Sequence, residues 1–330
     1  MANELTSVKC TINGTEYVLE LATSGEYAGK WVKTGVAPNG SSSVLAGGYY
    51  PASITATYST GLSTTVDNTT SGELGQACRL IVKEKVPPTI TINSPTADSY
   101  ITSLAQQRIS VTIKDNASTQ TTGYSGFNLD DENNFVCVLS KSGMPNITLK
   151  ASSFNKTPIM DGSRICGYSL EFSPTEESKL TDGVYTISVT AKDVDGNSAS
   201  ASNTFTVDMT KPELIIDNPV EGFSTASDSI SVTGTTTEET SNPLKVEIFL
   251  NDVKQGEVTP DSDGSFAYNI KFKAAGTQKI TVTVTDKAGN SISATRNGYY
   301  SDAKPVFNSV RLIPNPADAG ATFTIVVDVV

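Results

Sequence analysis

Acidic and amide residues recur around two polar turns, where their oxygen atoms could bind a metal ion. They are Asp193, Asp195, Asn197, Asp208, Asp286 and Asn290. Such hard oxygen ligands suit Ca²⁺, and their positions near predicted domain junctions make calcium the one cofactor worth considering. The turns lack the dense acidic spacing of a calcium loop. The favoured interpretation is therefore that these Asp and Asn residues cap turns by bonding nearby backbone N–H groups.

Catalytic chemistry has few candidates in this chain. The sequence contains no histidine, which excludes Ser-His-Asp and Cys-His catalysis and His-ligated metal sites. Acidic pairs such as Asp130-Asp131 and Asp261/Asp263 exist, but a glycosidase needs two carboxylates that face one cleft. These pairs lie beside turn and loop residues, where acidic side chains are normally solvated. We therefore expect a protein that is not an enzyme.

Aromatic side chains could instead bind carbohydrate if they present an exposed flat face. The candidates for ligand contact are Tyr124 and Phe127, in a polar stretch between residues 115 and 134, and Trp31. Trp31 is flanked by strand-forming residues, and a tryptophan in that setting more often packs in a core or an interface. One tryptophan is also fewer than we would expect in a lectin. Carbohydrate binding stays an open alternative.

The elements that position these residues are strands, because one strand-turn phrase recurs along the chain. It reads GVYTISVTAKDVDGN at residues 183–197 and GTQKITVTVTDKAGN at residues 276–290, and a more divergent copy lies near Ile54. Apolar and polar residues alternate within the phrase, so that one face of each strand is buried and the other is solvated. This pattern predicts an all-β protein of two-layer antiparallel sandwiches.

Proline-led openings divide the chain into domains. PTITINSP at residues 88–95 matches PELIIDNP at residues 212–219, and a looser copy begins at Pro305. Proline is excluded from central strands, so each proline pair brackets a short strand at a domain edge. The predicted ranges are 1–86, 87–210 with a long surface loop, 211–302, and a C-terminal hairpin or incomplete domain at 303–330.

The C-terminal segment has more apolar surface than a hairpin can bury. Phe323, Ile325, Val327 and Val329 line one face of the last predicted strand. A lone hairpin is marginally stable in water, and an exposed apolar edge invites pairing. The segment either folds back on the preceding domain or packs against a neighbouring subunit, by strand addition or a shared core. We favour the second interpretation, which makes these four residues an assembly surface.

Composition limits the partners and the compartment. The net charge of −11 disfavours nucleic acid and anionic membranes, and no apolar run approaches the roughly 18 residues that span a bilayer. The N-terminus lacks the basic and apolar regions of a signal peptide, so we expect synthesis and assembly in a cytoplasm. There, free thiols are favoured over disulfides for the two cysteine pairs, Cys10 with Cys78 and Cys137 with Cys166.

The opening prolines, the DxxGN closing turn and the VEIFLN…DGSF segment resemble bacterial and phage immunoglobulin-like domains over residues 87–302. Residues 1–86 depart from the pattern, with Tyr58 and Leu62 where Asp and Asn are expected. The CTINGTEYVLEL, GGYYP and LIVKEKVPP segments and the closing PNPADAGATFTIVVDV resemble immunoglobulin-domain proteins of tailed phages and prophages of Gram-positive bacteria.

This resemblance implies tandem immunoglobulin-like sandwiches in a virion protein of the tail or baseplate. Its partners would be other virion subunits, reached through the C-terminal strands in an oligomeric particle, and a host-surface carbohydrate. The runner-up is an adhesin-type module that binds a cell-surface glycan or protein, and a hydrolase accessory domain is a distant third. Fold analogy alone does not decide between these functions.

Overall fold

β-Strands make up nearly all regular structure in the computed structural model, which describes residues 4–36, 40–115 and 124–330. The all-β prediction is therefore confirmed. The chain divides into two compact units, Met1–Val207 and Asp208–Val330. Short 3₁₀ helices span Ser42–Val44, Leu104–Gln107 and Ala151–Ser153. Within the described ranges, no helix is long and apolar enough to cross a bilayer.

The N-terminal region of the first unit has one principal sheet. Its elements are β1 (Leu5–Ile12), β2 (Thr15–Val18), β3 (Glu20–Leu21), β4 (Trp31–Val32), β5 (Tyr50–Tyr58), β6 (Ser63–Asp67), α1 (Glu73–Ala77) and β7 (Arg79–Leu80). The sheet runs β2-β1-β5-β6, with β7 also paired to β5, while β3 and β4 form a separate ribbon. This arrangement differs from the paired sheets of the following regions. The immunoglobulin-like assignment of residues 1–86 stays a prediction.

The second region is a sandwich of two sheets whose strands are antiparallel except for one parallel pair. Its strands are β8 (Thr89–Ser94), β9 (Tyr100–Ile101), β10 (Ile109–Lys114), β11 (Phe135–Lys141), β12 (Ile147–Lys150), β13 (Asn155–Asp161), β14 (Arg164–Phe172), β15 (Gly183–Lys192) and β16 (Ser198–Val207). One sheet runs β13-β14-β10-β8 and the other runs β12-β11-β15-β16-β9, where β9 and β16 are the parallel pair. Residues 116–123 of the predicted surface loop lie outside the described residues.

The repeated phrase forms a central strand with the predicted faces. In β15, the alternate residues Tyr185, Ile187, Val189 and Ala191 are all buried, whereas Ser188 and Thr190 are exposed. The same alternation buries Ile280, Val282 and Val284 completely in the second copy. Burying one face of each strand supplies most of the stabilisation of such a sheet, at about 25 cal/mol per Å² of apolar surface.

The second unit begins with a sandwich of the same topology. Its strands are β17 (Glu213–Asn218), β18 (Phe223–Thr225), β19 (Ser229–Thr237), β20 (Lys245–Leu250), β21 (Val253–Val258), β22 (Ser265–Lys271), β23 (Gly276–Thr285) and β24 (Ser291–Tyr300). One sheet runs β17-β19-β22 and the other runs β18-β24-β23-β20-β21. Strand for strand this is the arrangement of the preceding sandwich, without a counterpart of β13.

A two-residue turn joins the hairpin strands β20 and β21 of this sandwich. Asn251 and Asp252 both have positive φ angles, 51° and 66°, and they join β20 to β21 as a two-residue turn of the kind that closes hairpins. The Asp261–Gly264 turn instead leads into β22, which pairs with β19 in the other sheet. Gly264 is required there, because its φ is +82° and a Cβ atom would collide with the Thr236 carbonyl.

The C-terminal segment is a two-stranded hairpin of β25 (Phe307–Ile313) and β26 (Thr324–Val329). Its antiparallel pairing matches that of β8 with β10 and of β17 with β19, the opening strands of the two sandwiches. The four predicted assembly residues are exposed, with Ile325 at 60% and Val329 at 42%. The hairpin therefore repeats the start of a sandwich and leaves its apolar face uncovered.

The four cysteines Cys10, Cys78, Cys137 and Cys166 are free thiols. Cys137 lies in β11 at the centre of a sheet, and burial raises the pKa of its thiol to about 12. Burial also raises the thiol pKa of Cys10 and Cys78. Raised values keep these thiols protonated at neutral pH, as expected of cysteines that act as small apolar side chains.

Candidate functional site

Three carboxylates meet in the first unit where the chain enters and leaves the sandwich strands. Glu84 precedes β8, Asp115 directly follows β10 and Asp193 directly follows β15. All three are buried, and carboxylate oxygens from each lie within 4.8 Å of one another. We call this set the first acidic triad.

A second acidic triad occupies the same positions in the second unit. Asp208 precedes β17, Glu238 directly follows β19 and Asp286 directly follows β23. Their carboxylate oxygens also lie within 4.8 Å of one another. Asp208 and Asp286 are buried and Glu238 is half-buried. The two sandwiches therefore repeat a chemical arrangement as well as a topology.

The closing turns have nearly identical geometry in the two copies. Asp193 Oδ1 accepts hydrogen bonds from the backbone N–H groups of Gly196 and Asn197, at 2.7 and 2.9 Å. Asp286 Oδ1 accepts the same bonds from Gly289 and Asn290 at the same distances. Both aspartates thus cap their turns, as the favoured sequence interpretation requires.

The asparagine at the end of each turn ties it to the segment that enters the same sandwich. Asn197 Nδ2 donates to Asp193 Oδ2, to the Glu84 carbonyl and to Glu84 Oε1, at 2.9, 3.2 and 2.7 Å. Asn290 Nδ2 donates to Asp286 Oδ2 at 2.9 Å and to the Asp208 carbonyl at 3.1 Å. Neither asparagine belongs to a triad. Each one holds two triad members in register.

Asp195 has a separate role that its repeat equivalent cannot have. Its Oδ2 accepts the Glu84 backbone N–H at 2.9 Å, and its Oδ1 accepts the hydroxyl of Ser43 from the N-terminal region. The corresponding residue of the second turn is Ala288, which has no polar side-chain atom. Asp195 therefore links the N-terminal region to the sandwich within the first unit.

Burial and mutual repulsion raise the pKa values of triad members. Burial is the main cause that raises the pKa of Glu84 to about 7, and the neighbouring Asp193 and Asp115 add to it. Burial likewise raises the pKa of Asp115 to about 6, with a further contribution from Asp193. In the second triad, burial and then the charges of Glu238 and Asp286 raise the pKa of Asp208. These carboxylates resist ionisation together in the absence of a counter-charge.

The sequence analysis located one of the three members of the first triad and two of the three members of the second. Asp193, Asp208 and Asp286 were among the six candidate metal ligands, whereas Asp195, Asn197 and Asn290 lie outside the triads. Glu84, Asp115 and Glu238 were not among the candidates because none of them lies in the repeated strand-turn phrase. Aligning the two copies by their strand ends would have revealed them, since each is the acidic residue just before an opening proline or just after a strand.

The aromatic candidates differ in exposure. Tyr124 is buried, at 4% exposure, and the Arg164 guanidinium lies 4.4 Å from the centre of its ring. It therefore offers no exposed face to a sugar, which corrects the expectation for this residue. Phe127 is half-buried. Trp31 is also half-buried and helps to line an apolar hollow of about 490 Å³ with Tyr17 and Tyr27.

Known proteins share parts of this architecture. Residues 212–298 match the family model described as "Glucodextranase, domain B", a range that covers the second sandwich from β17 into β24. The fold is that of tandem immunoglobulin-like β-sandwiches. Bacillopeptidase F of Bacillus subtilis (strain 168) is 32% identical over 112 residues, which are 34% of this chain and 7% of that protein. The chain thus spans a small part of this relative's length.

Two solved structures with tandem domains are similar at low sequence identity. The tetra-tandem repeat in the extending region of a large adhesion protein is 16% identical, with a TM-score of 0.32, and the match covers 100% of this chain and 81% of that one. Extracellular cadherin domains 1–5 of protocadherin gamma B2 are 11% identical, with a TM-score of 0.34, and the match covers 89% and 52%. Similarity at this level says nothing about ligands.

Proposed function

We propose that the chain is a non-enzymatic structural component of a phage or phage-like tail, where its sandwiches brace or decorate the baseplate, tip or tube and assist host-surface attachment. The observation that carries the proposal is the exposed apolar face of the β25–β26 hairpin, which follows a sandwich with its own buried core. The resemblance of several segments to phage immunoglobulin-domain proteins supports the same role. The protein would be made and assembled in the bacterial cytoplasm and would reside in the virion.

The hairpin is the surface through which we expect the protein to join its neighbours. It reproduces the opening strand pair of each sandwich, so the partner that fits it is a set of β-strands from another virion subunit that completes the second layer. Phe323, Ile325 and Val327 are 53%, 60% and 46% exposed and would be covered in that complex. Burying this face would remove the solvent exposure that makes a lone hairpin marginal.

Mass spectrometry of purified particles, combined with immunogold labelling, tests the assignment. A structural component is expected at a fixed copy number per particle, with gold particles confined to one part of the tail. Absence of the protein from washed, infectious particles would overturn the proposal, because a structural subunit cannot be missing from the assembly.

The second candidate is an adhesin-type module, and the hollow beside Trp31 is the observation that favours it. Its lining includes Tyr17, Tyr27 and Leu19, a mixture of aromatic and aliphatic surface of the kind that accommodates sugar rings or apolar side chains. The isolated protein would then bind whole cells. Trp31→Ala would weaken that binding, whereas Tyr299→Ala, at an exposed tyrosine of the other unit, would leave it unchanged.

A further inference from the structure

Both acidic triads contain buried oxygen atoms that lack a hydrogen-bond partner among the described residues. These atoms are Asp115 Oδ1 in the first triad and Asp208 Oδ2 in the second. Asp115 is 1% exposed and Asp208 is fully buried. An unpaired carboxylate oxygen in such a position loses its hydration without compensation, so it requires either a proton or a cation beside it.

A serine hydroxyl accompanies each triad. Ser241 Oγ is buried and has no hydrogen-bond partner in the described part of the chain, and the backbone N–H of the same residue donates to Glu238 Oε1 of the second triad at 3.4 Å. Ser125 Oγ lies 3.4 Å from both Glu84 Oε1 and Asp115 Oδ2. A hydroxyl oxygen has two lone pairs, so each serine offers a neutral oxygen atom that can ligate a cation beside the three carboxylates.

Repetition makes a chance cluster a poor explanation. The two triads draw their members from the same three places. These are the segment before the first strand of the sandwich, the end of β10 or β19, and the closing turn after β15 or β23. The turns differ in sequence, with Val194 and Asp195 replaced by Lys287 and Ala288, yet the cap and the asparagine tie are kept. What the copies share is therefore the arrangement that holds three carboxylates together.

We propose that each triad binds one hard divalent cation, Ca²⁺, with Glu84, Asp115 and Asp193 as carboxylate ligands in one sandwich and Asp208, Glu238 and Asp286 in the next. All available donors are oxygens, which suits Ca²⁺ and disfavours Zn²⁺, whose sites draw mainly on His and Cys. Ca²⁺ also tolerates the irregular geometry of three carboxylates, a hydroxyl and water better than Mg²⁺, which demands an octahedron. Asn197 and Asn290 position the ligands and do not bind the ion.

The proposal is tested on the full chain by thermal unfolding in chelator and then with millimolar CaCl₂ alone. Wild-type protein is expected to gain several degrees in Tm from calcium, on the order of 5–10 °C, and to bind two ions per chain by isothermal titration calorimetry. Asp208→Asn/Glu238→Gln and Glu84→Gln/Asp115→Asn should each lose one of the two ions. Asp130→Asn/Asp131→Asn, at exposed acidic residues, is the matched control and should bind both.

The variants also separate a metal site from a proton-sharing network. Neutralising a triad removes repulsion, so in chelator both double variants should be at least as stable as the wild type, while in calcium they should fall below it. A wild-type Tm that does not respond to millimolar calcium, with no heat of binding, would overturn the proposal. So would a calcium response that both double variants retain in full.

Discussion

A single residue of the closing turn decides what the turn contacts. Asp193 and Asp286 form equivalent caps, but two positions further on Asp195 accepts bonds from Ser43 and from the Glu84 backbone, where the second copy has Ala288. The capping hydrogen bonds occur in both copies of the turn, whereas the contacts of Asp195 with Ser43 and Glu84 occur only in the first copy. The N-terminal region and the first sandwich form one compact unit, and Asp195 contributes to that unit from its buried position.

Replacing Asp195 should therefore weaken the first unit. Asp195→Ala leaves the buried Glu84 N–H without its acceptor, which costs about 1–3 kcal/mol, and Asp195→Asn should cost less because its amide oxygen still accepts. Trp31 is the one tryptophan of the sequence and lies in this unit, so its fluorescence during urea unfolding reports the change. Asp130→Ala, at an exposed position, should leave the midpoint unchanged; an equal shift there would contradict this account.

The first triad should make stability depend on pH when calcium is withheld. The pKa values of Glu84 and Asp115 are raised to about 7 and about 6 in the folded protein. The folded state thus binds protons that the unfolded state releases at lower pH. This contribution is fully present near pH 4 and is lost as the pH rises through 6 to 7.

Thermal unfolding in chelator between pH 4.5 and 8 measures this effect. The Tm of the first unit should fall towards high pH, and Glu84→Gln should flatten the profile because the variant has no carboxyl to ionise at that position. Glu177→Gln, at an exposed glutamate, is the control and should retain the wild-type slope. A wild-type Tm that rises from pH 5 to 7.5 would show that the sign is wrong.

Among the elements, the short strand β18 depends on a glycine in its partner. β18 pairs in parallel with β24, with Phe223 opposite Gly298. A Cβ atom at Gly298 would collide with the Phe223 ring, which stacks on Phe272, itself stacked on Tyr300. The absence of a side chain at Gly298 therefore lets an aromatic cluster close one edge of the core.

Gly298→Ala should destabilise the second sandwich by about 1–3 kcal/mol, the usual range for overpacking. In a Phe223→Leu background the penalty should shrink, because the smaller side chain leaves room for the added methyl group. Chemical denaturation of the four members of this double-mutant cycle gives the coupling. Additive effects would mean that the methyl group added at position 298 does not press on the Phe223 ring. Ser291→Ala, on the exposed surface of the same strand, is the control.

At the scale of the whole chain, the hairpin face should govern self-association or assembly. Ile325→Lys/Val327→Lys places two charges on the exposed apolar face of β26 without shortening the chain. Sedimentation across a concentration series, and incorporation into particles, should both decrease, while the unfolding of the preceding sandwich stays unchanged. Val220→Lys/Val253→Lys alters two exposed valines elsewhere in the same unit and should assemble normally.

Deleting residues 303–330 is the stronger form of the same experiment. The truncated protein should be a soluble monomer that no longer assembles, since the sandwich before it has its own buried core. Unchanged assembly after the deletion would rule out the hairpin as the assembly surface.

Strand periodicity predicted the fold well because burial of alternate residues is a local property of the sequence. Tyr185 to Ala191 and Ile280 to Val284 alternate as expected. Pairing is less local, since β22 follows β21 in sequence but pairs with β19 in the other sheet. The triads were half predicted for the same reason. Their members are about 30 to 110 residues apart in sequence, and only the sheet topology brings Glu84 and Asp115 next to Asp193.

The parallel pairing of β9 with β16 and of β18 with β24 has a mechanical consequence. In each sandwich it joins a strand near the chain's entry to the strand at its exit. Tension applied to the two ends of such a domain slides these strands along each other, so their hydrogen bonds bear the force together and do not unzip one at a time. Each sandwich is thereby suited to transmit a pull while it stays folded.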